Sequence, residues 1–567
     1  MQHIRRFALL LAPLVLAACT TVPAPSSPIA STGLVSAADP RAAEAGATIL
    51  RQGGTSTDAA IAVMLALTVV EPQSSGIGGG GFYLRASSAG EVTTLDGRET
   101  APAAATPDWF LNADGTPRPF PEAVVTGLSI GVPGNVALAA EAHERYGSLP
   151  WAALFAPAIA LARDGWVVTP RFREFLQQGA NRAALTAEGR ALFYNAAGEP
   201  LATGATVRNP ALADTLAALA QAGPASFYNG PMAAGMASVI AAATPGEADM
   251  TTADFATYSA AWRDSPCGVY RRYRICGMGP PSSGASTVYA VLKQLERFDL
   301  AALGPQSPTS WHLFAESQRL AYADRELYLA DADFLPVPLA GLMDPDYLAA
   351  RGALISATTR MSTAVAGTPA GATVALADGD EPEERGTSHF VVVDGQGAAV
   401  SYTSTIEGGF GSGHMYGGFY LNNELTDFSF VPQRDGQVVV NRVEGGKRPR
   451  SSMAPTVVFA PDGTLVLAVG AAGGGTIPIQ VAKALIGVID WGLPVAEAIA
   501  LPGLYSPGDA IVVEEGSPLL AMQAQLEAMG HTVQARRLPF KANAAQLVGG
   551  RWTGAADPRS EGVAIQP

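Results

Sequence analysis

The chain has 567 residues, 48% of them hydrophobic and 15% charged, which is enough for a large core and, on length alone, about two to four domains or one unusually large unit. The net charge of −14 comes with no compensating basic patch, which argues against nucleic acid and anionic membrane surfaces as partners. Glycine (62 residues) and proline (42) are abundant without any period, so they mark loops and exclude a collagen-like repeat.

The N-terminus opens with a basic MQHIRR and a short apolar FALLLAPLVLAA, too short to span a bilayer, and reads as an export signal over residues 1–18. Leu16-Ala17-Ala18-Cys19 resembles a bacterial lipobox, in which Cys19 would carry lipid and become the mature terminus; a plain signal peptide cut nearby is the alternative. The expected location is therefore outside the cytoplasm, on the periplasmic side, with membrane attachment only through the lipid. Residues 19–37, beginning TTVPAPSSPIASTG after Cys19, lack periodicity and are expected to form a flexible tether.

Asp39-Pro40 predicts an N-cap with proline at the first helical position, and RAAEAGATILRQ carries helical spacing until Gly53-Gly54. STDAAIAVMLALTVVEP predicts a second, mostly buried helix, and GFYLRASSAGEVTTLDGRE a hairpin turning near Ser87–Gly90. Between them, SSGIGGGGF has a helix before it and a strand after it. That is the reverse of a phosphate-binding loop, so its glycines indicate close backbone packing, as beneath an active site. Ala- and Leu-rich helices dominate residues 130–260, and SWHLFAESQRLAYADRELYLAD is a further amphipathic helix. In SPCGVYRRYRICG, a turn at Arg271-Arg272 would set Cys267 opposite Cys276 on a short hairpin. A disulfide suits an exported protein, and two reduced thiols remain the alternative.

A polar connection from about Thr358 to Gly386 is expected to be solvent-exposed and mobile. The texture then changes to short strands, a helix at IPIQVAKALIGVIDWG and another at EEGSPLLAMQAQLEAMG. The pattern predicts a mixed α/β protein with helices outside and stacked sheets between them. The six histidines, at positions 3, 143, 312, 389, 414 and 531, lack ligand spacing. No metal site or cofactor is expected.

At the junction, Thr387 stands at the head of a strand-like run behind Gly386 and a charged loop. It could be an ordinary strand start. It could equally be meant to become a terminus. A threonine hydroxyl is a weak nucleophile that needs a base close by. A free α-amino group on Thr387, with an intrinsic pKa of roughly 7.7–8.0, could be that base, whereas the amide nitrogen of an uncut chain could not.

Six stretches together settle which alternative to expect: GGTSTDAAIAVMLALTVVEPQSSGIGGGGF, DGRETAPAAATPDWF, GTSHFVVVDGQGAAVSYTSTI, LNNELTDFS, KRPRSSMAPT and VGAAGGGTIPI. In that order, from about residue 38 to the C-terminus, the chain resembles the gamma-glutamyltransferase (glutathione hydrolase) family of N-terminal nucleophile hydrolases. The resemblance implies a precursor that cuts itself between Gly386 and Thr387. Residues 38–386 and 387–567 would then be large and small chains of one four-layer αββα sandwich. It implies transfer of a γ-glutamyl group from glutathione or related compounds to water, amino acids or peptides.

Site roles follow from the same resemblance. Thr387 is the nucleophile, Thr405 steadies it, and Gly473-Gly474 form the oxyanion hole. Arg98, Ser451 and Ser452 would hold the donor's α-carboxylate, and Glu424 and Asp427 its α-amino group. Glu407 stands where many members have asparagine beside that amino group; it keeps an acceptor and adds a negative charge. Thr476 replaces an often bulkier polar residue. The stretch between Asp427 and Ser451 is shorter than the lid-bearing segment of some bacterial members. His389 is expected to be structural, not part of a triad. The competing expectations are a glutaryl-type (cephalosporin) acylase of the same superfamily, which would need no ammonium site, and a silent self-cleaved lipoprotein acting as a binding module, which would need no nucleophile.

Overall fold

A computed structural model describes residues 33–244, 246–247, 250–372, 376–379 and 386–567; the expected signal sequence, Cys19 and most of the expected tether lie outside these. Two antiparallel sheets stack at its centre. The first has seven strands in the order Val563–Ile565, Leu34–Ala37, Ser388–Val393, Ala399–Thr405, Gly80–Ala86, Val92–Gly97 and Ala261–Arg263. The second has six, running from Arg551–Ala556 through Lys541–Val548, Leu465–Ala472, Thr456–Phe459 and Tyr273–Gly277 to Cys267–Tyr270.

Strand alternation explains the layering. Phe390 and Val392 point into the helix-side core, whereas Val391 and Val393 join Leu84, Val457, Phe459 and Ala468 between the sheets. Helices cover both outer faces, which gives the four-layer αββα sandwich. Pro40–Arg51 and Ser56–Val70 pack on the first sheet. The second of these has no polar face and every residue buried, as a helix trapped between layers requires. Its start is set by a reciprocal capping box between Thr55 and Asp58. Gly284–Leu295, Pro308–Tyr328 and Ile477–Ile489 cover the second sheet.

Some expectations need correction. The tether cannot reach residue 37, because Leu34–Ala37 is a fully buried strand paired on both sides, with Val35 opposite Val392 and Ile565. Its apolar side chains make it part of the sheet. The helix expected in EEGSPLLAMQAQLEAMG is split into a 3₁₀ turn, Pro518–Met522, and a short helix, Gln523–Ala528. Of the polar connection, 380–385 lies outside the described residues, but earlier parts are pinned. Arg360 donates its backbone N–H to Met529 (2.8 Å), and Leu376–Ala377 pairs with Gln437–Val439.

Candidate active site

Strand register brings the two threonines together. Ser388 pairs with Ser404 across the antiparallel ladder, so the next step outward sets Thr387 against Thr405. The Thr387 hydroxyl donates to Thr405 Oγ1 at 3.2 Å, and Thr405 Oγ1 also accepts the Glu407 backbone N–H at 2.8 Å. The eighteen-residue spacing is thus one turn and two strand lengths. Thr387 itself has φ of +99°, a conformation that a β-branched residue avoids. Its backbone N–H is held by Ser74 O at 3.0 Å. Gly386 is equally constrained, since a Cβ there would lie 1.5 Å from Glu407 O. Strain of this kind costs on the order of 1–3 kcal/mol and persists where the surroundings over-determine it, often at reacting bonds.

The glycine-rich loop lies beneath this corner: a Cβ on Gly79 would fall 2.0 Å from Thr405 O. Below Thr387, Lys541 reaches both Glu71 oxygens (2.9 and 2.7 Å), the Ser388 hydroxyl (3.3 Å) and Thr387 O (3.4 Å). Burial alone would raise the Glu71 carboxyl, but the Lys541 ammonium and hydrogen bonds from Lys541 and Ser388 outweigh it and hold the group below its ordinary value. His389 takes no part. It sits between the sheets, bonded to Thr403 Oγ1 at 2.9 Å, and burial lowers it to about 3, so its ring is neutral.

Thr387 opens onto a cavity of about 1020 Å³, roomy enough for a peptide-sized ligand. Gly473 lines it at φ of +123°, and Gly474 follows at +57° to begin the turn Gly474–Thr476 ahead of the helix Ile477–Ile489. Backbone in this shape can turn N–H groups toward an approaching oxygen. Thr476 donates to Gly473 O (2.8 Å) and accepts from Gln480 (3.0 Å), so this threonine braces the turn from within.

The opposite wall carries the charges. Arg98, buried, pairs directly with Glu424 and Asp427 and donates to Pro449 O (3.2 Å) and Arg450 O (2.8 Å). Arginine and acids pair within the set, as buried charges require, where the expectation divided them between the donor's carboxylate and its ammonium. Asp427 and Ser452 line the cavity, with Arg98 and Glu424 behind Asp427. The Ser452 hydroxyl accepts from Arg325 at 2.7 Å, whereas Ser451 is turned into the fold, its hydroxyl accepting from the Met453 N–H at 3.2 Å. Glu407, at φ of +69°, accepts from Asn423. Beside Arg98, burial pushes the Glu99 carboxyl up to about 8, so it is uncharged at neutral pH.

This geometry can be set against known proteins. The gamma-glutamyltranspeptidase family model matches residues 42–566. The chain belongs to the gamma-glutamyltranspeptidase family. It is 36% identical over 509 residues to the glutathione hydrolase proenzyme of Bacillus subtilis (strain 168), covering 88% of this chain and 85% of that one. It is 35% identical over 542 residues to the glutathione hydrolase proenzyme of Escherichia coli (strain K12), covering 94% and 91%. Among solved structures, a cephalosporin acylase from Bacillus halodurans superposes with a TM-score of 0.82 at 27% identity, covering 97% of this chain and 99% of that one.

Family motifs do not point to every residue at the site. The Glu71–Lys541 pair joins positions 470 residues apart; Glu71 falls inside GGTSTDAAIAVMLALTVVEPQSSGIGGGGF, but no local pattern announces Lys541 as its partner. Arg325 and Arg450 share Glu326 at the cavity wall, and Tyr322 bonds Gly475 O. Arg450, next to Ser451 in RPRSSM, could likewise have been suspected from its motif. Cys267 and Cys276 are directly opposed across their hairpin and joined by a disulfide. The cysteine pair is on the outer edge of the second sheet and is not part of the cavity lining.

Proposed function

We propose that this member of the gamma-glutamyltranspeptidase family is a self-processed γ-glutamyltransferase and glutathione hydrolase that uses Thr387 as its nucleophile. The observation that carries the reading is the joining of the Thr387–Thr405 corner and the Arg98–Glu424–Asp427 wall on one cavity. A γ-glutamyl donor needs both, a nucleophile for the side-chain carbonyl and paired charges for its amino-acid head.

Maturation begins with the Thr387 hydroxyl attacking the Gly386 carbonyl carbon. The C–N bond breaks, the nitrogen takes the proton, and an ester links the two parts. Water then cleaves that ester, leaving a Gly386 carboxylate and a free Thr387 amine. In turnover, this amine accepts the Oγ1 proton as Oγ1 attacks the donor's γ-carbonyl. Backbone N–H groups at Gly473-Gly474 face the developing oxyanion, and the departing amine takes the proton. The γ-glutamyl ester then passes to water or to an amino acid or peptide. Arg98 and Ser452, with Ser451 behind it, hold the α-carboxylate. Glu407, Glu424 and Asp427 receive the α-ammonium. The proenzyme names of the bacterial relatives support the precursor reading. Export and lipid attachment at Cys19 belong to the same proposal and rest on the N-terminal sequence alone.

A glutaryl-type acylase is the second reading, supported by the superposition with the cephalosporin acylase. It leaves the acid pair without a purpose. A γ-glutamyl anilide and a glutaryl anilide, offered to the matured protein, separate the two. The γ-glutamyl substrate should be turned over with the higher kcat/KM, and a preference for glutaryl would reverse the assignment.

A further inference from the structure

The charged side chains around the cavity are nearly all paired. Arg325 and Arg450 share Glu326, Arg537 meets Glu174, Lys541 meets Glu71, and Arg559 meets Glu514 and Asp557. Two lining cations remain, Arg171 and Arg536, whose guanidinium groups have no carboxylate within 4.0 Å among the described residues. They differ in setting. Arg536 is exposed on a strand end, while Arg171 is half-buried in the cavity wall.

Arg171 belongs to the helix Pro170–Gln178, which turns Arg171, Glu174, Phe175 and Gln178 to the cavity. That spacing is one continuous helical face. The guanidinium is steadied by the Phe175 ring, 5.2 Å from its centre, and by a bond from Nη1 to Arg559 O at 3.1 Å. Its Nε is buried without a partner, and among the described residues Nη2 bonds to none. The nearest acid contact is to the backbone, where the Arg171 N–H donates to Glu561 at 3.4 Å. A held guanidinium with an unfilled edge, facing a large cavity, matches a carboxylate bound through two parallel hydrogen bonds.

The head-group wall is a separate hydrogen-bonded set, linking Arg98, Asp427, Arg450, Glu326, Arg325 and Ser452. Resting on the function proposed above, we infer that Arg171 reads the carboxylate on the amine side of the scissile bond. That carboxylate ends the peptide that leaves a glutathione-like donor, or the amino acid or peptide that accepts the acyl group. Leaving group and acceptor occupy the same ground, since each is the amine partner of the same ester. The ligand class is therefore a short peptide or amino acid with a free C-terminal carboxylate, and Arg171 is a specificity-determining residue for it.

The test compares γ-glutamyl-cysteinyl-glycine, the same peptide with a C-terminal amide, and a neutral γ-glutamyl anilide. In the wild-type protein the free carboxylate should raise kcat/KM over the amide by roughly 10-fold, the size of one charge-assisted contact. Arg171→Gln should bring that ratio close to one, and Arg171→Lys, which keeps charge but not the fork, should leave it intermediate. With glycylglycine and its amide as acceptors, the same preference should appear in transfer and shrink in the same variants. A wild-type protein indifferent to the carboxylate would overturn the inference without any variant having to mature. So would an Arg171→Gln protein that keeps the full preference, or an Arg536→Gln protein that loses it. No turnover of the anilide by wild type would strike down the function reading itself, a result distinct from turnover without carboxylate preference.

Discussion

The Thr387 corner and the charged wall face one cavity, yet they are built by different means. The corner is held by backbone: the ladder of Ser388 on Ser404, the Ser74 carbonyl, and glycines at 386 and 473 that admit no Cβ. The wall is held by side-chain charge on loops, with Arg98 gripping Glu424 and Asp427 from another part of the chain. Position at the corner therefore survives loss of a charge, whereas the wall rearranges if one member is removed. Reaction geometry should depend on the first and donor choice on the second.

The largest effect that sharpens this contrast is at Thr387. Thr387→Ala should lower γ-glutamyl transfer by at least ~10⁴-fold, because it removes the attacking hydroxyl itself. A small loss in steady-state kinetics would move the nucleophile elsewhere. Next comes the one charged pair inside the corner. Lys541→Met strands the Glu71 carboxylate in the core and should cost about 3–5 kcal/mol in a denaturant titration, with part of that recovered in the Lys541→Met/Glu71→Gln double variant. If the single change is harmless, the corner does not need the pair.

Asp427→Ala probes the wall. It should lower kcat/KM on a γ-glutamyl donor by roughly 10- to 100-fold, the worth of a charge-assisted contact of about 1.5–3 kcal/mol. A glutaryl donor, which lacks the ammonium, should lose little. Equal losses on both donors would show that the wall does not read the amino group. The smallest effect concerns acid. His389 titrates at about 3 in the fold against an unfolded value of 6.5, so the unfolded chain binds the extra proton between those limits. Its contribution is fully present above pH 6.5 and falls by ~1.4 kcal/mol per pH unit below it. Glu71, also depressed, adds to the loss only below its unfolded value of about 4.5. His531, also lowered to about 3, adds to the loss in this window, while Glu99, raised to about 8, opposes it. The histidine's share is therefore read as a difference, and from pH 7 to 5 wild type should lose stability relative to His389→Gln. Parallel slopes would remove the histidine from the account.

How much of this was legible in the sequence follows the same division. The sheet and its helices were readable because short strand-like runs such as SHFVVVD and the Asp39-Pro40 cap are local signals. The hairpin register that opposes Cys267 and Cys276 was readable for the same reason. Leu34–Ala37 was missed because four residues carry too little periodicity, and its partners lie more than 350 residues away. At the site, each motif indicated its own residue, but local pattern could not show that Arg98 closes on Glu424 and Asp427, or that Lys541 comes under Thr387. Those are long-range pairings, set by how the layers stack.

The central claim is that the Gly386–Thr387 bond is cut by Thr387 itself, freeing the amine that serves as base. Intact-mass measurement and N-terminal sequencing of the purified protein, expressed as wild type and as Thr387→Ala, test it most directly. The account predicts a wild-type small chain comprising residues 387–567 that begins with Thr387, and a variant that stays a single uncut chain. An uncut wild type, or a Thr387→Ala protein cut at the same bond without added protease, would contradict it.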